Sequence, residues 1–406
     1  MNKKFFIANV ILLTIVIALF EGVSHTIIKA KIGDYDLATQ GGTTMTPSFY
    51  QVWEHPAGYK SWSGKTEFNN YGLRDRDDLT QEKPDNTVRI FFMGGSAAFG
   101  SQAMPGSMYL KLSGQGEYSN EETITYYLEE KLKAKYPEKN FEVINAATNW
   151  SRLHQQMLHY LRKLRTMEPD LVISMDAYND SSPIHLKNTY ADAEMLGQQE
   201  LFGNLKHKIS PIFQVSHTAY FMAMMIFRTG ESFEPDMTLV EKYAAIKAPD
   251  NMDEQIGKAR IEMEEQLQTN VHEYMSAMKN FDSVLDNDNV PHMFYLQPLT
   301  ILDTYKEPTQ IEDAIRGYQY DTLNEGQYLR LNFYSDIEFE ANKLKDEGVL
   351  EFESMIDVFK GVKDVVYSDY CHFTPKGNEL LAEYFLKEIE EKHPDYERFM
   401  DEYKQV

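Results

Sequence analysis

Cysteine is nearly absent from this chain of 406 residues: Cys371 stands alone, which excludes an internal disulfide and any cysteine-based metal cluster. Such usage fits a protein outside the cytoplasm that manages without disulfides. Positive charge is also scarce. Against 63 acidic residues stand 40 basic ones, a formal net charge of −23 at pH 7. A surface of that sign repels phosphate backbones, so nucleic acid is not an expected partner, and the acidic excess reads as a solvated face. Low-complexity tracts and fixed-period repeats are missing as well. The remainder is ordinary globular composition, 42% hydrophobic and 25% charged. The length suits one large domain with insertions, or two small domains.

The N-terminus has a chemistry of its own. Lys3 and Lys4 precede a charge-free apolar run from Phe5 to Phe20, which Glu21 closes. Spanning a bilayer takes roughly 17–25 helical residues, and a secretory apolar region is about 7–15, so the run falls between the two. Residues 1–24 are expected to form an uncleaved signal anchor, with a cleaved signal peptide, at the small-x-small site that Gly22 and Ser24 offer, as the alternative. Lys29 and Lys31 balance Lys3 and Lys4 and blunt the charge rule for orientation. The expectation is a membrane-anchored protein whose large acidic domain lies outside the cytoplasm, periplasmic or at the cell surface.

Residues 25–86 read as an irregular lead-in, rich in Gly, Thr, Asn, Asp and aromatics. From residue 87 strands alternate with helices. Thr87–Met93 is a β-branched and aromatic run ended by Gly94-Gly95, and a helix is expected over Glu121–Lys135. Then follow Phe141–Asn145, a helix around His154–Met167, and Asp170–Met175 after Pro169. His292–Leu296 and Asp364–Tyr367 are further strand candidates, and a last helix spans Lys376–Lys392. This alternation predicts βαβ units on a parallel sheet over 87–395. Two insertions interrupt it. One, at about 181–290, ends in a charged helical stretch (Met252–Val284). It also carries an apolar patch at Ala219–Phe227, too short to span a bilayer and expected to be a core helix. The other, at about 300–345, is polar, Tyr-rich and expected to lie on the surface.

Three polar groups sit at strand ends. Ser96 follows the first strand in Met93-Gly94-Gly95-Ser96-Ala97-Ala98-Phe99-Gly100, where open α/β sheets gather reactive groups. A phosphate-cradling loop would need Gly-Lys-Ser/Thr, a dinucleotide turn would need glycine at 96, and the G-x-S-x-G elbow would need glycine at 98. Glycine also serves a tight strand-to-helix turn with no chemistry attached. Asp369 and His372 lie three apart, just before the last helix. There a carboxylate can orient an imidazole, although a helix cap or a metal pair would use the same spacing and no third ligand is near. Asn179 follows the third strand in Asp176-Ala177-Tyr178-Asn179-Asp180. Its amide can donate to a developing oxyanion or simply close an Asx turn. His154 and His159 face a common site poorly, and Cys371 reads as a small buried filler.

Taken together these residues resemble the SGNH (GDSL-type) hydrolase superfamily. The match rests on Gly94-Gly95-Ser96 with Phe99-Gly100, Asn145-Ala146, Pro169-Asp170-Leu171-Val172, Asn179-Asp180 and Asp369-x-x-His372-x-Thr374-x-x-Gly377-Asn378, over roughly 88–180 and 290–390. The resemblance implies a three-layer α/β/α sandwich with a mainly parallel, about five-stranded sheet. It implies Ser96 as nucleophile and first oxyanion donor, Asn179 as side-chain donor, His372 as base and Asp369 as its orienter. Two departures stand out. The family's glycine after the second strand is missing from Asn145-Ala146-Ala147-Thr148-Asn149-Trp150-Ser151. Asn149 is the expected replacement donor, because Asn tolerates a left-handed backbone better than Trp150 does. Alanine, Ala177, also stands where the family's Gly-x-Asn-Asp has glycine.

The expected activity is hydrolysis of an O-acyl ester, O-acetyl above all, on an extracytoplasmic glycan through a Ser96 acyl-enzyme, with no cofactor and no metal. A glycan O-acetyltransferase would share that acyl-enzyme, and a non-catalytic binding or assembly protein would share the fold. The expected partners are the ester substrate, with an acylated polysaccharide as the candidate, and the membrane.

Overall fold

The structure, a computed structural model, describes residues 3–35, 45–48, 51–61, 63–75, 77–103, 107–181, 212, 214–226 and 232–392. Residues 182–211 of the first insertion and 393–395 at the end of the expected domain lie outside the described residues.

Two short strands, β1 (Thr46–Ser48) and β2 (Val52–Glu54), form a small antiparallel pair. The main sheet comprises β3 (Thr87–Gly94), β4 (Asn140–Asn145), β5 (Leu171–Asp176), β6 (His292–Leu296) and β7 (Phe352–Ser354). Their spatial order is β4-β3-β5-β6-β7 and every neighbouring pair is parallel. The order reverses direction beside β3, so a crevice opens where the β3 and β5 ends diverge.

In chain order the α-helices of the described residues are α1 (Lys3–Ile32), α2 (Ser96–Phe99), α3 (Met108–Ser113), α4 (Ile124–Lys135), α5 (Leu153–Arg162) and α6 (His217–Ile226). They continue with α7 (Met237–Ala244), α8 (Met252–Glu262), α9 (Glu264–Asn287), α10 (Gln310–Asp321), α11 (Glu325–Asp346) and α12 (Pro375–Lys392). Side chains alternate across β3, and that alternation builds two cores. Ile90 and Phe92 meet Leu128 and Leu132 of α4 and Leu381 and Phe385 of α12 on one face. Phe91 and Met93 meet Tyr160 of α5, Met278 and Phe281 of α9, and Phe333 of α11 on the other. Phe385 stands edge-on to Phe92 and Tyr295, with centroids 5.0 and 4.8 Å away. Burying such a ring contributes about 1.5–3 kcal/mol. Helix, sheet and helix thus form three layers around the expected parallel sheet.

Three expectations change. The fifth strand is Phe352–Ser354, not Asp364–Tyr367. In the latter segment the Val366 and Tyr367 N–H groups donate to Glu312 Oε1, and the chain pairs with its own continuation through Tyr367 and Phe373. With those groups engaged, the segment cannot join the sheet. The second insertion is not surface decoration. It forms α10 and α11, and α11 buries Leu329, Phe333, Ile337 and Ala341, every fourth residue, against the sheet-side core. The Ala219–Phe227 patch is not a sheet-core helix either. It falls largely in α6, which packs on α1, with Tyr220 buried while Met222 and Met225 stay exposed.

Helix α1 continues past residue 24. Glu21, the residue that closes the apolar run, accepts hydrogen bonds from Ser216 Oγ and His217 N at the start of α6. Ile7–Lys31 is long and apolar enough to cross a bilayer, and within it Ser24 and Ile28 alone are buried.

Candidate active site

The turn after β3 is built around two glycines that have no room for a side chain. A Cβ on Gly94, at φ +154°, would lie 2.4 Å from Ala98 Cβ and 2.5 Å from Met175 O. One on Gly95 would lie 2.4 Å from Asn179 Nδ2. The glycines let the β3 end, the β5 end and α2 converge, and Ser96 opens α2 at that point. The far end of the turn is fastened by Arg74. Its buried guanidinium donates to Phe99 O (2.7 Å), Gly100 O (2.9 Å) and Tyr118 O (2.8 Å), and lies 4.7 Å from the Phe99 ring centre. Carbonyls left over at a helix end need such donors. Arg74 comes from the segment that reads as an irregular lead-in.

Ser96 Oγ lies 2.8 Å from His372 Nε2, and His372 Nδ1 lies 2.6 Å from Asp369 Oδ2. Asp369 Oδ1 also accepts the N–H groups of Cys371 and His372, each at 2.8 Å. Burial, the largest influence on Asp369, would raise its pKa, but His372 and these hydrogen bonds outweigh it and hold the carboxyl below its usual range. The ionised carboxylate accepts a hydrogen bond from Nδ1–H, which fixes that tautomer and leaves Nε2 to accept from the Ser96 hydroxyl. The base loop is held from β6: Thr300 Oγ1 donates to Asp369 O at 2.8 Å, and Gln297 Nε2 donates to Cys371 O at 3.0 Å. Beneath it lies a fully buried ion pair, Lys306 Nζ to Glu312 Oε2 at 2.7 Å, whose other oxygen holds the Val366 N–H at 2.9 Å.

The third group arrives from β5. Asn179 Nδ2 donates one hydrogen to Ser151 O at 2.8 Å, next to Gly95. Ala177, where the resemblance expects glycine, adopts φ +105°, a conformation strained for any residue with a Cβ. The left-handed backbone after β4 falls on Trp150, at φ +65°, and not on Asn149. Turn geometry explains the difference. Ser151 N bonds Thr148 O at 3.0 Å, and the positive φ of this four-residue turn falls on its third residue. The Asn149 side chain is occupied elsewhere, accepting from Ser101 Oγ at 2.7 Å. Conformational preference thus gives way to register.

These groups line a pocket of about 650 Å³. His55, Tyr59 and Phe68 form one wall, and Tyr109, Tyr178 and Tyr370 another. Tyr178 and Tyr370 lie inside the segments that carry Asn179 and the Asp369/His372 pair, whereas for His55, Tyr59 and Phe68 the one sequence signal is the aromatic content of 50–70. Among the described residues, Asp369, Cys371 and His372 form the one cluster with metal-ligand atoms close together. Its donors are spent: both Asp369 oxygens hold N–H groups, and burial pushes the Cys371 thiol well up, keeping it protonated. His159 is packed in the interior, where burial and then the Lys163 charge lower its pKa to about 3.

A buried carboxyl sits at the end of β5. Asp176 accepts from Ser174 Oγ at 2.6 Å and from Gln156 Nε2, while burial first, and the Asp180 charge second, raise its pKa to about 7. The unfolded chain releases this proton near pH 4 and the folded chain near pH 7. Its stabilisation is therefore complete below about pH 4 and lost as pH rises to about 7. Asp176→Asn should flatten that part of the stability curve, as read from urea unfolding at pH 4.5 and pH 8. An unchanged slope would place the proton elsewhere.

No family model and no curated protein matches the sequence. Solved structures do overlap it. An acetyl xylan esterase, AlAXEase, shares 11% identity over 74% of this chain and 98% of its own, with a TM-score of 0.36. Axe2, an acetylxylan esterase from Geobacillus stearothermophilus, shares 15% identity over 74% and 93%, with a TM-score of 0.33. A GDSL-like lipase from Parabacteroides merdae, described as putative, shares 10% over 74% and 94%, with a TM-score of 0.37. At this distance the functional reading rests on the geometry of the site itself.

Proposed function

We propose that this chain is a serine esterase that removes an O-acyl group, O-acetyl above all, through an acyl-enzyme on Ser96. One observation carries the reading: the continuous relay from Ser96 Oγ through His372 to Asp369, at 2.8 and 2.6 Å, opening on a pocket. His372 Nε2 takes the hydroxyl proton as Ser96 Oγ attacks the ester carbonyl. Asp369 steadies the imidazolium so formed. The oxyanion is met by the Ser96 N–H, by the free hydrogen of the Asn179 amide and by a backbone N–H of the 148–151 turn, where Trp150 takes the place expected of Asn149. Collapse expels the alcohol, which receives the proton from His372. Water, deprotonated by the same nitrogen, then releases the carboxylate and restores Ser96.

The apolar helix α1 supports a membrane anchor, and with the catalytic domain outside the cytoplasm an acylated glycan is the substrate we propose. The test is covalent labelling of the full chain, in detergent, with a fluorophosphonate. The expected adduct maps to Ser96 by mass spectrometry, in parallel with hydrolysis of p-nitrophenyl acetate. Labelling elsewhere, or none, overturns the reading. Turnover only when a glycan acceptor is present would identify the transferase instead.

A further inference from the structure

Beside the catalytic pocket lies a second cavity of about 330 Å³, within the range of small-ligand sites. Tyr109, Tyr178 and Tyr370 line both, so one wall of rings is shared between them. The rings brace each other, with Tyr370 centred 5.1 Å from Tyr109 and 5.2 Å from Tyr178, and Tyr318 edge-on to Tyr109 at 5.0 Å. The polar lining is unusual. Gln319 is 7% exposed, yet its buried Oε1 has no hydrogen-bond partner. Such a group is costly to leave unmatched, so a buried orphan on a residue that lines a cavity calls for an explanation. Arg330 also lines the cavity, with Nε donating to Ser181 Oγ at 2.7 Å and its guanidinium carbon 4.1 Å from the Tyr178 centroid. Among the described residues its Nη groups make no hydrogen bond.

We infer that this cavity is a saccharide subsite, holding a sugar ring next to the one whose acyl group reaches Ser96. The inference rests on the esterase reading and names the substrate class. A sugar supplies what the lining lacks: hydroxyl groups for the Gln319 amide and for Arg330, and C–H faces for the tyrosine rings. An acyl chain would leave Gln319 and Arg330 unanswered. A phosphate would set anionic oxygen against the Gln319 carbonyl. The subsite therefore selects for hydroxyl-rich rings.

The experiment compares the full chain with Gln319→Leu on p-nitrophenyl acetate and on O-acetylated oligosaccharides, both xylo-oligosaccharides and oligouronates. The variant is expected to lose roughly three- to tenfold in kcat/KM on an oligosaccharide, mostly through KM, as for one hydrogen bond. Turnover of p-nitrophenyl acetate should be unchanged, and the melting temperature not lowered, because the change removes an unmatched buried group. Saturation-transfer NMR with the deacetylated oligosaccharides should show contacts in the native protein that weaken in the variant. Equal losses on both substrates, no loss on either, or oligosaccharides handled no better than p-nitrophenyl acetate would overturn the subsite. A native protein inert toward p-nitrophenyl acetate would instead overturn the esterase reading.

Discussion

Replacing Ser96 with alanine is expected to lower kcat/KM for p-nitrophenyl acetate by on the order of 10⁴-fold or more. The change deletes the atom that makes the acyl bond, and His372 cannot substitute for it, since Nε2 is placed to receive a proton from Oγ at 2.8 Å. The fold should not notice. Ser96 opens a four-residue helix whose buried side chains are Ala97, Ala98 and Phe99, and alanine is a good helix former. Far-ultraviolet dichroism and melting temperature should therefore match the native protein while turnover vanishes. A variant that keeps a tenth of the native rate would end the acyl-enzyme mechanism.

The second large effect is expected at Asn179. Asn179→Ala removes the amide donor from the oxyanion site and should cost about 10²–10³-fold in kcat with little change in KM, because the interaction matters most once charge develops. Asn179→Asp should be at least as damaging, since it would set a carboxylate against both the Ser151 carbonyl and the developing oxyanion. Steady-state kinetics distinguish this from a positioning defect, which would raise KM as well. A loss confined to KM would show that Asn179 shapes the pocket and leaves the transition state alone.

The residues at strand ends were the legible part of the site. Ser96, Asn179 and the Asp369/His372 pair each stand directly beside a short apolar run or a helix start, and a reader who places the runs places the groups. The sheet was legible for the same reason where burial on both faces makes a run continuous, as in Thr87–Gly94. Three residues, Phe352–Ser354, are too few to show any period, whereas Asp364–Tyr367 carries the β-branched signal but spends its N–H groups on Glu312. Helix α11 hides its stripe because the residues between Leu329, Phe333, Ile337 and Ala341 are polar or charged enough to dominate the composition. Trp150 defied its preference because the Thr148–Ser151 turn decides where the left-handed residue falls. Arg74 could not be seen at all. Its neighbours Asp75, Asp77 and Asp78 suggest a solvated charge cluster, and only the tertiary fold shows it buried among carbonyls 25 and 26 residues further on.

That last placement bears on how a soluble form of the protein should be cut. Trimming at residue 87, where the sheet begins, would leave the Phe99 and Gly100 carbonyls buried without their donor and strip the His55, Tyr59 and Phe68 wall from the pocket. A soluble form that keeps the pocket intact therefore begins ahead of the β1–β2 pair, close to residue 45.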